Sequence, residues 1–128
     1  MSEIVFDSSA VLAMLQDEPG GDAVPAFLGR AIISAVNFQE VAKELVRGGR
    51  SKKDVRAILG GIAMEVRAHD ADAALLAAEL FEKTRRYGSG LGDRSCMALG
   101  LQLALPILTA DREWRKVEIE GLELRHLR

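Results

Sequence analysis

Four acidic residues, widely separated in the chain, stand where apolar segments give way to polar ones. Asp7 follows IVF, Glu40 lies within ISAVNFQEVAKEL, Asp93 within GLGDRSCMALG, and Asp111 follows PILTA. Carboxylates gathered in one place repel and raise one another's pKa unless a cation neutralises them. Mg²⁺ or Mn²⁺ does so through oxygen ligands, keeping several waters and needing only one or two protein carboxylates per ion. Two such ions, about 3.5–4 Å apart, suit in-line displacement at a phosphodiester. Together, then, these acids could support metal-assisted hydrolysis of a phosphate ester. Taken singly, each also has an ordinary reading. Asp7 and Asp93 could cap helices, Asp111 could shape a turn, and Glu40 could be a solvated helix position.

Whether the four meet depends on the elements that carry them. EIVF predicts a short strand, after which Ser8 and Ser9 open the helix AVLAMLQ, stopped before Pro19-Gly20-Gly21. Asp22 opens a second helix to Gly29, and AIIS is the second strand. Residues 36–47 form a helix with Val36, Val41, Leu45 and Val46 near one face, ended by Gly48-Gly49. Ser51 caps KKDVRAILGG, and AMEVRA is the third strand. Asp70 opens one long helix, ADAALLAAELFEKTRRYG, with its cations in the last turn. Asp93 opens RSCMALGLQLA, apolar almost all round and therefore buried. PILT is the fourth strand, and LELRHL, after a short helix around Trp114, is the fifth.

Strands alternating with helices imply an α/β fold: a parallel sheet of about five strands with helices on both faces. Functional sites of such sheets lie outside the carboxyl ends of the strands. Asp7 and Asp111 follow strands directly, and Glu40 sits in the first turns of a helix leaving the second strand. Asp93 heads a helix that runs back into the fourth. All four therefore fall on one rim.

The 128 residues read as a single domain, 1–128, and 48% of them are apolar, with a mean hydropathy of +0.07. That is material for a real core, and it excludes disorder. Charge interrupts every apolar run too early for a membrane span, and MSEIVFDSS lacks the features of a signal peptide. The lone Cys96 offers no internal disulfide, and no Cys/His cluster has zinc spacing. A soluble, cytoplasmic protein is expected. The net charge of −2 hides an asymmetry. Residues 1–42 hold one Lys/Arg against six Asp/Glu, whereas KELVRGGRSKKDVR (43–56) holds six basic against two acidic. Lys83, Arg85, Arg86 and Arg94 form a second basic group. An acidic region beside basic strips is compatible with metal near a polyanion, as it is with solvated helix ends.

The blocks IVFDSSAVLAML, ISAVNFQEVAKEL, GLGDRSCMALG and LPILTADREW together resemble the four acidic motifs of the PIN domain. Their order and spacing are similar to those of VapC-type toxins, over nearly the whole chain. The resemblance implies a three-layer α/β/α PIN-like fold. It also implies that Asp7, Glu40, Asp93 and Asp111 form an acidic pocket for Mg²⁺ or Mn²⁺. The implied activity is endonucleolytic cleavage of RNA by metal-activated water, leaving a 5′-phosphate and a 3′-hydroxyl. A small VapB-like antitoxin and a homodimer are the implied partners. One block departs in detail: GDRS stands where the family more often has small residues after the Asp, which leaves the acid in place.

Secondary candidates surround the acids. Ser9 could orient a carboxylate or a metal-bound water, and Asn37, one turn before Glu40, could face the same pocket. Arg94 and Arg86, with Arg85, flank the Asp93 rim and could hold RNA phosphates. Thr109 reads as a strand residue, Trp114 and Cys96 as core, and His69 and His126 as structural. A haloacid-dehalogenase-like phosphatase would want a second Asp where Ser9 stands, and a receiver domain a Lys after the fifth strand. The remaining alternative is a non-catalytic binding module that keeps the shape of the pocket and works by partner recognition.

Overall fold

The computed structural model describes residues 2–128. Its sheet has five parallel strands: β1 (Ile4–Phe6), β2 (Ala31–Ser34), β3 (Met64–Arg67), β4 (Ile107–Thr109) and β5 (Leu124–His126). Their order across the sheet is β3-β2-β1-β4-β5, with Val5 opposite Ile32 on one side and Ile107 on the other. Six α-helices connect them: α1 (Ser8–Leu15), α2 (Ala35–Arg47), α3 (Lys52–Gly60), α4 (Ala71–Glu79), α5 (Phe81–Thr84) and α6 (Leu91–Leu103). The architecture is a three-layer α/β/α fold, and alternate strand residues show why. Ile4, Phe6, Ile33 and Leu108 pack with Val11, Val41, Leu45 and Leu59 of α1, α2 and α3. Val5, Ile32 and Ile107 face the other way, onto Ala77, Cys96, Met97 and Trp114. Strands buried on both faces carry few polar positions, so IVF reads as an unbroken apolar run, and the buried Ser34 and Thr109 stand at the carboxyl ends of β2 and β4.

The predicted strands form, and Ser51 and Asp70 cap α3 and α4 through backbone N–H groups at 3.1 and 2.9 Å. Four expectations need correction. Residues 21–27, predicted as a helix opened by Asp22, form a 3₁₀ segment with Pro25 inside it. The long helix after Asp70 is broken into α4, α5 and a 3₁₀ turn at Arg85–Tyr87. Near the break the Thr84 hydroxyl donates to the Leu80 carbonyl at 2.8 Å, a back-bond of the kind that bends helices. Val46, expected on the inner face of α2, is 58% exposed. Finally, α6 begins at Leu91, so Asp93 sits inside its first turn instead of heading it. Among the described residues, no helix is long and apolar enough to cross a membrane.

Candidate active site

Asp7 leaves the central strand β1 and is almost wholly buried. Its backbone occupies the N-cap position of α1, yet its carboxylate caps nothing. Instead Oδ2 accepts from the Ser9 hydroxyl at 2.5 Å and from the Thr109 hydroxyl at 3.0 Å. The helix-cap reading of Asp7 therefore does not hold. Ser9 and Thr109 carry the connection onward. Ser9 Oγ accepts from the Ala110 N–H at 2.9 Å, and Thr109 Oγ1 from the Asp111 N–H at 3.1 Å. Asp111, half-buried, caps the 3₁₀ turn Arg112–Lys116 by accepting from the Glu113 N–H at 3.0 Å. Thus the ends of the neighbouring strands β1 and β4 are joined by a hydroxyl network between two acids.

Glu40 reaches the same edge from α2. Its Oε1 accepts from Asn37 Nδ2 at 2.8 Å and from the Ser8 hydroxyl at 3.1 Å. The same Asn37 amide donates to the Gly92 carbonyl at 3.0 Å, tying α2 to the first turn of α6. There Asp93 Oδ2 accepts from the Gly90 N–H at 3.0 Å. Two buried polar atoms close by, Asn37 Oδ1 and Trp114 Nε1, have no hydrogen-bond partner. The indole N–H nevertheless lies near enough to Asp93 to favour its ionised form.

Electrostatics show how far the acids converge. Burial pushes the Asp7 carboxyl up to about 7, with Asp93 and Glu40 adding to the rise and the two hydroxyls opposing it. Asp93 is also raised, first by burial, then by Asp111 and Glu40, against the opposing Gly90 N–H and Trp114. Asp93 thus lies within electrostatic reach of Asp7, Glu40 and Asp111, and Asp7 within reach of Glu40 and Asp93. Among the described residues, however, no three His, Cys, Asp or Glu side chains come close enough to hold a metal directly. The donors are all oxygen and the charge is in excess. That set fits a hydrated hard cation touched by one or two carboxylates, not a closed protein cage.

Two clefts open beside the acids. One, about 470 Å³, is lined by Val36, Gln39, Glu40, Lys43 and Asp93. The other, about 590 Å³, is lined by Ser9, Pro19, Asp111, Arg112 and Arg128. The arginines proposed from sequence are engaged locally. Arg94 donates to the Ser89 carbonyl at 2.8 Å and lies over the Phe81 ring, while exposed Arg86 turns onto Tyr87. Cys96 is buried with its thiol pushed far up, as a packing residue would be. Sequence reasoning missed Ser8 and Gly92, and it read Thr109 only as a strand residue. No spacing rule marks a hydroxyl or a glycine whose importance lies in what another segment brings to it. A larger apolar groove, about 700 Å³, lies away from the acids between α2, α3 and β3.

A family model described as the PIN domain matches residues 4–120. The chain belongs to the PIN domain family. The fold recurs in the DNA-bound VapBC from Salmonella typhimurium, with a TM-score of 0.76 at 16% identity over 100% of both chains. A toxin–antitoxin complex from Klebsiella pneumoniae matches with a TM-score of 0.71 at 17% identity, over 94% of this chain and 95% of that one. VapBC-5 from Mycobacterium tuberculosis matches with a TM-score of 0.64 at 22% identity, over 98% and 99%. Comparison with curated proteins returns no significant sequence match.

Proposed function

We propose that this protein is a VapC-type toxin: a Mg²⁺- or Mn²⁺-dependent endoribonuclease acting on RNA phosphodiester bonds in the cytoplasm. The observation that carries this reading is the electrostatic reach of Asp93 to Asp7, Glu40 and Asp111 at one sheet edge of a PIN domain. Asp7, Glu40, Asp93 and Asp111 would hold the ion, which when bound would supply an acidified water as nucleophile and positive charge at the leaving oxygen. The chain's own residues hold the acids ready for it. Ser9 and Thr109 both bond Oδ2 of Asp7, which leaves Oδ1 unclaimed by either. Asn37 and Ser8 both bond Oε1 of Glu40 in the same manner. Asp93 and Asp111 complete the rim. Arg94 and Arg86 are the candidate phosphate contacts.

The partner in this reading is a small VapB-like antitoxin, as in the complexes that share the fold. The groove floored by Val55, Leu59 and Met64 and rimmed by Arg50, Lys52 and Arg56 is the surface such a partner would cover. Its apolar floor and cationic rim suit an amphipathic helix with acidic flanks. A homodimer is part of the same proposal.

The deciding experiment incubates total cellular RNA with purified protein and Mn²⁺ or Mg²⁺ and maps new 5′ ends, with EDTA and Asp93→Asn in parallel. New 5′-phosphate ends at a few sites, absent from both controls, support the nuclease. No new ends together with no metal binding would overturn it in favour of a binding module.

A further inference from the structure

Ala110, the residue that leads into Asp111, is tied at both ends of its backbone. Its N–H side, Ala110 N, donates to Ser9 Oγ, the hydroxyl that also bonds Asp7. Its carbonyl side, Ala110 O, accepts from Nε of Arg128 at 3.1 Å. Arg128 follows β5, and its guanidinium reaches back over the carboxyl edge of the sheet. One Nη donates to the Pro19 carbonyl at 3.0 Å, and the other lies 3.7 Å from the Glu18 carboxylate. One residue earlier, the Leu127 N–H donates to the Thr109 carbonyl at 2.9 Å. The chain after β5 thus grips the Asp111 loop through two successive residues and fastens it to the loop that follows α1.

A guanidinium is suited to this task because its planar fork presents several N–H groups in fixed directions, here to carbonyls of two separate segments. It is also turned inward. Its side chain is only 25% exposed, and the Glu18 and Asp111 carboxylates leave its cleft close to neutral, a poor setting for phosphate capture. We propose that Arg128 is a positioning residue, fixing the Asp111 loop at a set distance from Asp7. This rests on the reading of Asp111 as one of the working acids, and in this role Arg128 touches neither substrate nor metal.

Amide hydrogen exchange on the whole metal-free protein tests it, comparing wild type with Arg128→Gln and Arg128→Lys. In Arg128→Gln the amides of Ala110, Asp111 and Glu113 should exchange about tenfold faster, the scale of one hydrogen bond to a charged group. Those of β1 and α6 should be unchanged. Arg128→Lys regains one carbonyl contact and should fall between. Mn²⁺ affinity, read by electron paramagnetic resonance of free Mn²⁺, should weaken in the same order. Unchanged exchange at 110–113 overturns the proposal, and so does uniform acceleration throughout the chain, which marks a merely structural role. Because exchange is read without metal or RNA, the proposal can fail while the nuclease survives. Conversely, a wild type that cleaves nothing counts against the nuclease alone.

Discussion

The carboxylate of Glu40 occupies the space that any side chain at position 92 would need. A Cβ built on Gly92 falls 2.1 Å from Glu40 Oε2 and 2.5 Å from Oε1. The backbone angles at Gly92 are ordinary, so the glycine is required by this close approach and not by its conformation. What would yield to a methyl group is the end of a flexible side chain, held by Asn37 and Ser8. Gly92→Ala should therefore displace Glu40 while costing about 1 kcal/mol or less in stability. Thermal melts should barely move, and RNA cleavage should fall as far as it does in Glu40→Gln. A large loss of stability with cleavage intact would refute this.

Asp93→Asn should lower cleavage by about 100-fold or more, the scale of losing one preorganised charge at a reacting centre. Its metal-free form should melt no lower than wild type. The raised pKa of Asp93 means that its charge is unfavourable without a cation, and an amide oxygen can still accept from the Gly90 N–H. Retained activity in this variant would sink its assignment to the site.

The pH dependence of metal-free stability should carry the signature of Asp7. Its folded pKa of about 7 exceeds the ordinary 3.8, so the folded state holds a proton that the unfolded chain has released. Stability then falls as pH rises between these two values, and the full penalty is present above the folded pKa. Urea midpoints of wild type should drop from about pH 5 to about pH 8 relative to Asp7→Asn, which has no such titration. Mn²⁺ should restore the midpoint at the higher pH, because it binds the ionised carboxylate. A wild-type-minus-variant difference that stays flat with pH would contradict this.

Trp114 is the only tryptophan in the sequence, buried with its indole N–H beside Asp93 and otherwise unpartnered. Its fluorescence should report a cation at that acid directly. Mn²⁺ titration should quench the emission with saturation, and Asp93→Asn should abolish the response. An unchanged spectrum during demonstrated Mn²⁺ binding would place the ion elsewhere.

Val46, exposed on the rim of the apolar groove, tests the partner surface. Val46→Glu should weaken antitoxin binding by roughly tenfold or more, because it sets a carboxylate against the acidic flanks proposed for the partner, with cleavage by the free toxin unaltered. Calorimetry against the antitoxin decides it, and equal affinity would move the interface to another face.

Much of this was readable in advance because the sheet is buried on both sides. IVF, AII and IL are apolar runs, so the polar residues that end them mark the carboxyl edge: Asp7 after the first, Ser34 after the second, and Thr109 with Asp111 after the last. Glu40 is placed by the short distance from AIIS along an amphipathic helix. Legibility ends where a role depends on a second segment. Thr109 looks like any strand threonine until β1 brings Asp7 beside it. Gly92 looks like loop glycine until α2 sets Glu40 against it, and Arg128 like a solvated cation until Ala110 and Pro19 lie under it. The break after α4 escaped because helix propensity favours continuation there, and the Thr84 hydroxyl that bonds back to Leu80 has no signature in a sequence pattern.

The pairing of β1 with β4 joins Val5 to Ile107 and so sets Asp7 beside Thr109 and Asp111. Contacts spanning so much sequence close late, after the local helices have formed. A growing chain makes Asp7 first and cannot assemble the acids until nearly its whole length has been synthesised. In the proposed nuclease, unfinished chains would leave the RNA around them uncut. On the same proposal, activity would arise only at the stage of folding when the groove between α2, α3 and β3 can also be complete.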